Sequence, residues 1–71
     1  MPERGIIWAK WRVNPDGRVE VTATYAAESG YLQERSEYAS LDEAASELGA
    51  SFREVVGRAV ESGSLSGRWR P

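Results

Sequence analysis

The tetrapeptide Asn14-Pro15-Asp16-Gly17 does most to limit the fold of this chain, because it separates two runs in which apolar and polar side chains alternate. Pro fits the first corner of a type I turn, and Gly supplies the positive φ that closes a hairpin with a bulge. Residues 5–13 read as the first strand. Ile7, Ala9, Trp11 and Val13 share one face, and Ile6, Trp8, Lys10 and Arg12 the other. Residues 18–25 read as the return strand, with Val19, Val21, Ala23 and Tyr25 alternating with Arg18, Glu20, Thr22 and Thr24. That is the pattern of a sheet with one face on a core and one in water. Residues 31–38 are expected to add a third strand. Glu34 and Ser36 lie between Leu32 and Tyr38, and charge there suits an edge, where it discourages pairing with other chains.

The C-terminal half changes period. Ser40-Leu41-Asp42-Glu43 and Ser51-Phe52-Arg53-Glu54 both fit the S-x-x-E capping box, in which Ser takes an orphan N–H and Glu reaches back to another. Leu41, Ala44, Ala45 and Leu48 form one helical stripe; Phe52, Val55, Val56, Ala59 and Val60 form the next. Two short helices over 41–48 and 52–62 follow, with Gly49 between them and Gly63 as the stop. The apolar positions 41, 45, 48, 52, 55 and 59 also fit one continuous helix, in which Gly49 costs only about 1 kcal/mol. The second capping box favours two helices. The fold class is therefore α+β: a three-stranded antiparallel sheet followed by two short helices packed on its valine face. Residues 1–63 form a single domain, and 64–71 read as a flexible Ser/Gly tail ending in Arg68-Trp69-Arg70-Pro71, with Trp69 either free or folded back onto the sheet.

At 71 residues the chain is one small domain, which buries only about 60% of its unfolded surface. It has no cysteine and no histidine, which removes disulfides, thiolate zinc sites, thiol nucleophiles and the usual general base. No phosphate-cradling loop is present, since residues 63–67 lack the lysine and following helix of a P-loop. No enzyme, cofactor or metal is expected. Net charge is −2, more acidic than is usual for a dedicated nucleic-acid binder, although a local patch matters more than the sum. Lys10 is the only lysine among nine cations, and with the many Ala, Gly and Glu residues this suggests a GC-rich bacterial or phage origin. No apolar run spans a membrane, and Met1-Pro2-Glu3-Arg4 has no leader pattern, so a cytoplasmic protein is expected.

Residues 41–51, Leu-Asp-Glu-Ala-Ala-Ser-Glu-Leu-Gly-Ala-Ser, resemble the first helix and turn of excisionase-like and MerR-like helix-turn-helix proteins. The resemblance implies that residues 52–62 form a recognition helix, with Ser51, Phe52, Arg53, Gly57 and Arg58 facing DNA. Residues 49–60 are also similar to the turn and second helix of ribbon-helix-helix repressors. That likeness implies a homodimer whose strand 31–38 presents Gln33, Arg35 and Glu37 to the groove. The order of three strands and a helix is similar to the arm-binding domains of phage-type integrases, which lay the sheet in the groove. The contact face would then carry Trp8, Lys10, Arg12, Arg18, Thr22 and Thr24.

These features lead to a non-catalytic DNA-associated regulator, with Arg53, Arg58, Arg68 and Arg70 on phosphates. A small protein-binding adaptor or inhibitor, using the Trp8 face or the outer helix surface, stands beside it. Bland roles weigh against both: the alternating Arg53, Glu54, Arg58 and Glu61 suit a solvated helix face, and Trp8 suits a cover for the sheet. Trp8 also suits a partner anchor or a stack on a base.

Overall fold

The computed structural model describes residues 5–71; the first four, read above as carrying no leader pattern, lie outside the described residues. The elements in order are β1 (Ile6–Val13), β2 (Val19–Ala27), β3 (Gly30–Tyr38), α1 (Leu41–Leu48), α2 (Ala50–Glu61) and β4 (Ser66–Trp69). The sheet has four antiparallel strands rather than the three expected, in the order β3-β2-β1-β4. Both helices lie on one face, α1 toward β3 and α2 toward β4. The other face is open.

The Asn14–Gly17 turn forms as its residues dictate. The Gly17 N–H donates to the Asn14 carbonyl at 2.9 Å and the Asn14 N–H to Arg18 at 2.8 Å, with Gly17 at φ 91°. The strands then pair Val13 with Val19, Trp11 with Val21 and Ala9 with Ala23, all on the covered face. Beyond Trp8 the register slips: Trp8 faces Thr24, but Ile6 faces Tyr25. One extra residue, Ile7, is accommodated as a bulge. Ile6 therefore packs against the core and Ile7 is exposed, the reverse of strict alternation.

Two helices form, not one. The Ser40 hydroxyl caps α1 by accepting the Glu43 N–H at 3.1 Å. Gly49 breaks the rod at φ 105° and ψ 172°, a backbone geometry that suits glycine. The second capping box does not act as one. α2 begins at Ala50, so Ser51 lies inside its first turn, and the Ser51 oxygen instead accepts the Trp69 indole N–H at 3.2 Å.

That bond belongs to the main departure from expectation. Residues 66–69 are not a flexible tail but β4, paired along β1 from Arg12↔Ser66 to Ala9↔Trp69. Trp69 is buried and meets the fully buried Phe52 edge-to-face, with ring centroids 5.1 Å apart. Gly67 sits opposite Trp11, and a side chain there would meet the Trp11 ring at 3.0 Å. The Ser/Gly composition thus permits close packing rather than mobility.

Candidate functional site

The helix pair does not present the surface that the helix-turn-helix resemblance implies. Phe52 is fully buried in the core, and Ser51 is engaged by Trp69. Arg53 is tied to Asp42 of α1 by an ion pair. Gly57 is half-buried, and a Cβ there would meet nothing, so no backbone approaches it. Of the two arginines in this group, Arg58 is exposed without a salt bridge among the described residues. The other charged side chains of the two helices are mainly acidic: Asp42, Glu43, Glu47, Glu54 and Glu61.

The open sheet face differs. Register places Thr22, Lys10 and Arg68 in one row across β2, β1 and β4, with Glu20, Arg12 and Ser66 in the next. Lys10, Arg12, Arg68 and Arg70 are all exposed. None forms a salt bridge among the described residues. Arg68 lies over the Trp8 ring, its guanidinium carbon 5.1 Å from the ring centroid, and Arg70 lines the same depression as Trp8 and Arg68. Five of the ten residues singled out from sequence (Trp8, Lys10, Arg12, Arg68 and Arg70) therefore come together here, although the sequence pattern divided them between a strand and a tail.

The rest of the open face is organised by ion pairs. Glu20 accepts from Asn14 at 2.9 Å and from Arg35 of β3, which together hold its carboxyl below the ordinary value of 4.5; Arg35 and Arg12 add attraction. Arg18 is shared between Asp16 and Glu37. Arg35 and Glu37 of the supposed ribbon strand are thus occupied within the sheet, and β3 is already paired along β2. On the covered side, burial pushes the Tyr38 hydroxyl above its ordinary 10.0, partly offset by Ser36.

Charge is consequently segregated in a chain of small net charge. Cations dominate the open sheet face, and carboxylates dominate the helix layer. Among the described residues no carboxylate group is arranged to hold a metal ion, and no helix is long and apolar enough to cross a membrane. Sequence reading missed two further residues of this face: Ile7 and Tyr31 line a notch with Trp8, Thr24 and Gln33, the last expected only as part of a ribbon strand. The doubled Ile6-Ile7 gave no hint, since neighbours on a strand face opposite sides in any case, and the bulge alone decides which of the two packs inward. Comparison with protein-family models, curated proteins and solved structures yields no match.

Proposed function

We propose that this chain is a small, non-catalytic, nucleic-acid-associated regulatory protein whose contact surface is the open sheet face rather than α2. One observation carries the reading: Lys10 and Arg68 stand directly opposite each other on neighbouring strands, with Arg12 and Arg70 flanking them. Like charges in that position repel and cost the sheet stability. A polyanion seated across them relieves the repulsion. Residues two apart on a strand are about 6.8 Å apart, comparable to the spacing of successive phosphates in an extended polynucleotide. Thr22 adds a hydroxyl to the same row, and such contacts position a backbone without reading sequence.

The segregated charge supports the reading further. The acidic helix layer repels a polyanion while the open face attracts it, so the chain approaches in one orientation. Fluorescence anisotropy with labelled mixed-sequence oligonucleotides at two salt concentrations tests this. Lys10→Gln with Arg68→Gln is expected to weaken binding and to reduce the salt slope by about 0.7–0.9 per lost phosphate contact. Arg53→Gln with Arg58→Gln is expected to change neither. The opposite pattern returns the site to α2, and no binding at low salt removes nucleic acid as the ligand. A protein partner is the second reading, favoured by the exposed Tyr31 and Ile7 beside Trp8. An acidic protein surface would meet the same cations without any affinity for oligonucleotides.

A further inference from the structure

The open face holds an aromatic notch next to its cations. Trp8, Thr24 and Gln33 lie directly opposite one another across β1, β2 and β3. Tyr31 stands two residues before Gln33 on the same face and is 76% exposed. Thr24 between them is short and only 5% exposed, and its hydroxyl accepts the Gln33 amide at 3.3 Å. The floor is therefore narrow and polar, and two rings bound it. The strands carrying those rings are two strand spacings apart, about 10 Å. One planar group stacked between two rings needs two steps of about 3.4 Å, about 7 Å in all, so the spacing of these strands admits one. Trp8 lines both this notch and the depression bounded by Arg68 and Arg70, so its ring stands between the notch and the cations.

We propose that the notch takes an unpaired nucleobase, so that the preferred ligand of the open face is a single-stranded polynucleotide. The inference rests on the nucleic-acid reading above and narrows it. A base within a duplex is paired and stacked and cannot enter between two side chains, whereas a free base stacks on exposed aromatic rings. Among the described residues Tyr31 is not one of the side chains packed against the core. Gln33 keeps its carbonyl oxygen and one amide hydrogen, and Thr24 keeps its hydroxyl hydrogen, so the floor can both donate to and accept from a base edge. A base held there leaves its phosphates beside Arg68, Arg70 and Lys10.

The test uses the full chain and three labelled probes of one sequence: single-stranded DNA, single-stranded RNA and the DNA duplex. Single strands are expected to bind at least about tenfold tighter than the duplex, a difference of about one tenfold step in affinity. Tyr31→Ala, at an exposed position, is expected to weaken single-strand binding by about 5- to 150-fold, the loss of one ring–base stack. It should leave duplex binding and the salt slope unchanged. The DNA and RNA arms distinguish the two sources of the same base chemistry. Equal affinity for single strand and duplex, or a Tyr31→Ala variant that keeps the wild-type ratio, overturns the inference while the phosphate-contact reading stands. Failure of all three probes to bind at low salt overturns both and leaves the face to a protein.

Discussion

Trp69→Ala should come close to unfolding the protein. Trp69 is 4% exposed, packs edge-to-face on Phe52, donates its indole N–H to Ser51 and ends the strand that pairs with β1. A tryptophan buries about 150–250 Å². At about 25 cal/mol per Å² that is about 4–6 kcal/mol, an upper bound because the unfolded chain is already partly compact. Measured Trp-to-Ala changes in cores cost about 3–5 kcal/mol. At about 0.05–0.15 kcal/mol per residue, a chain of 71 residues has about 4–11 kcal/mol in total. The substitution therefore removes a large part of the stability. Urea titration followed by far-ultraviolet circular dichroism measures the loss. Ser51→Ala serves as a partial control: it keeps the ring contact and leaves the buried indole N–H unpaired, costing about 1–3 kcal/mol. A Trp69→Ala cost below about 1 kcal/mol would refute the assignment of residues 66–69 as a core strand.

Three further outcomes follow from the same packing. Gly67→Ala forces a methyl against the Trp11 ring at 3.0 Å and should cost about 1–3 kcal/mol in the same urea titration, since Trp11 is itself buried and has little room to move. Trp11→Phe should fall within about 1 kcal/mol of neutral, because the buried Trp11 indole nitrogen has no hydrogen-bond partner among the described residues and its removal offsets the lost packing. The Glu20 carboxyl titrates below its ordinary 4.5 in the folded chain, so the stabilisation from Asn14 and Arg35 is complete above that value and disappears as pH falls through the lower, folded value. Melting temperature plotted against pH should accordingly fall less steeply in acid for Glu20→Gln than for the native chain.

Local chemistry made the first half of the fold legible. The Asn14–Gly17 turn fixes a hairpin register by itself, and the alternation of Val19, Val21 and Ala23 names the covered face. Ser40 and Gly49 likewise act through their own backbone neighbourhoods, and both did what their residue types suggest. The errors arose where distant partners decide. Ser51 has the spacing of a cap but is recruited by a tryptophan 18 residues away. Phe52 reads as surface-facing if α2 is a recognition helix, yet its ring is what Trp69 packs against. The bulge at Ile7 inverts two adjacent isoleucines, and only pairing with Tyr25 and Thr24 reveals it.

The same limit applied to the candidate site. Lys10, Arg12 and Trp8 were recognisable together because they alternate on one strand. Arg68 and Arg70 were chosen as cations of a mobile tail. Their placement beside Lys10 depends on β4 pairing with β1, which four residues of Ser, Gly, Arg and Trp do not announce. The pairing of Arg53 with Asp42 was equally hidden, because it crosses the Gly49 break between helices. Charge composition alone pointed away from nucleic acid; the segregation of that charge between two faces, which only the topology supplies, points back toward it.

Nitrogen–proton correlation spectra recorded during titration with an unlabelled oligonucleotide test the open-face claim most directly, since the three tryptophans supply distinct indole signals. Trp8 lies on the open face, whereas Trp11 and Trp69 are buried. The account predicts that the Trp8 indole and the amides of Lys10, Thr22 and Arg68 shift in proportion to oligonucleotide added, while the Trp11 and Trp69 indoles and the α2 amides stay in place. Shifts centred on Arg53 and Arg58, with the Trp8 indole unmoved, would contradict it.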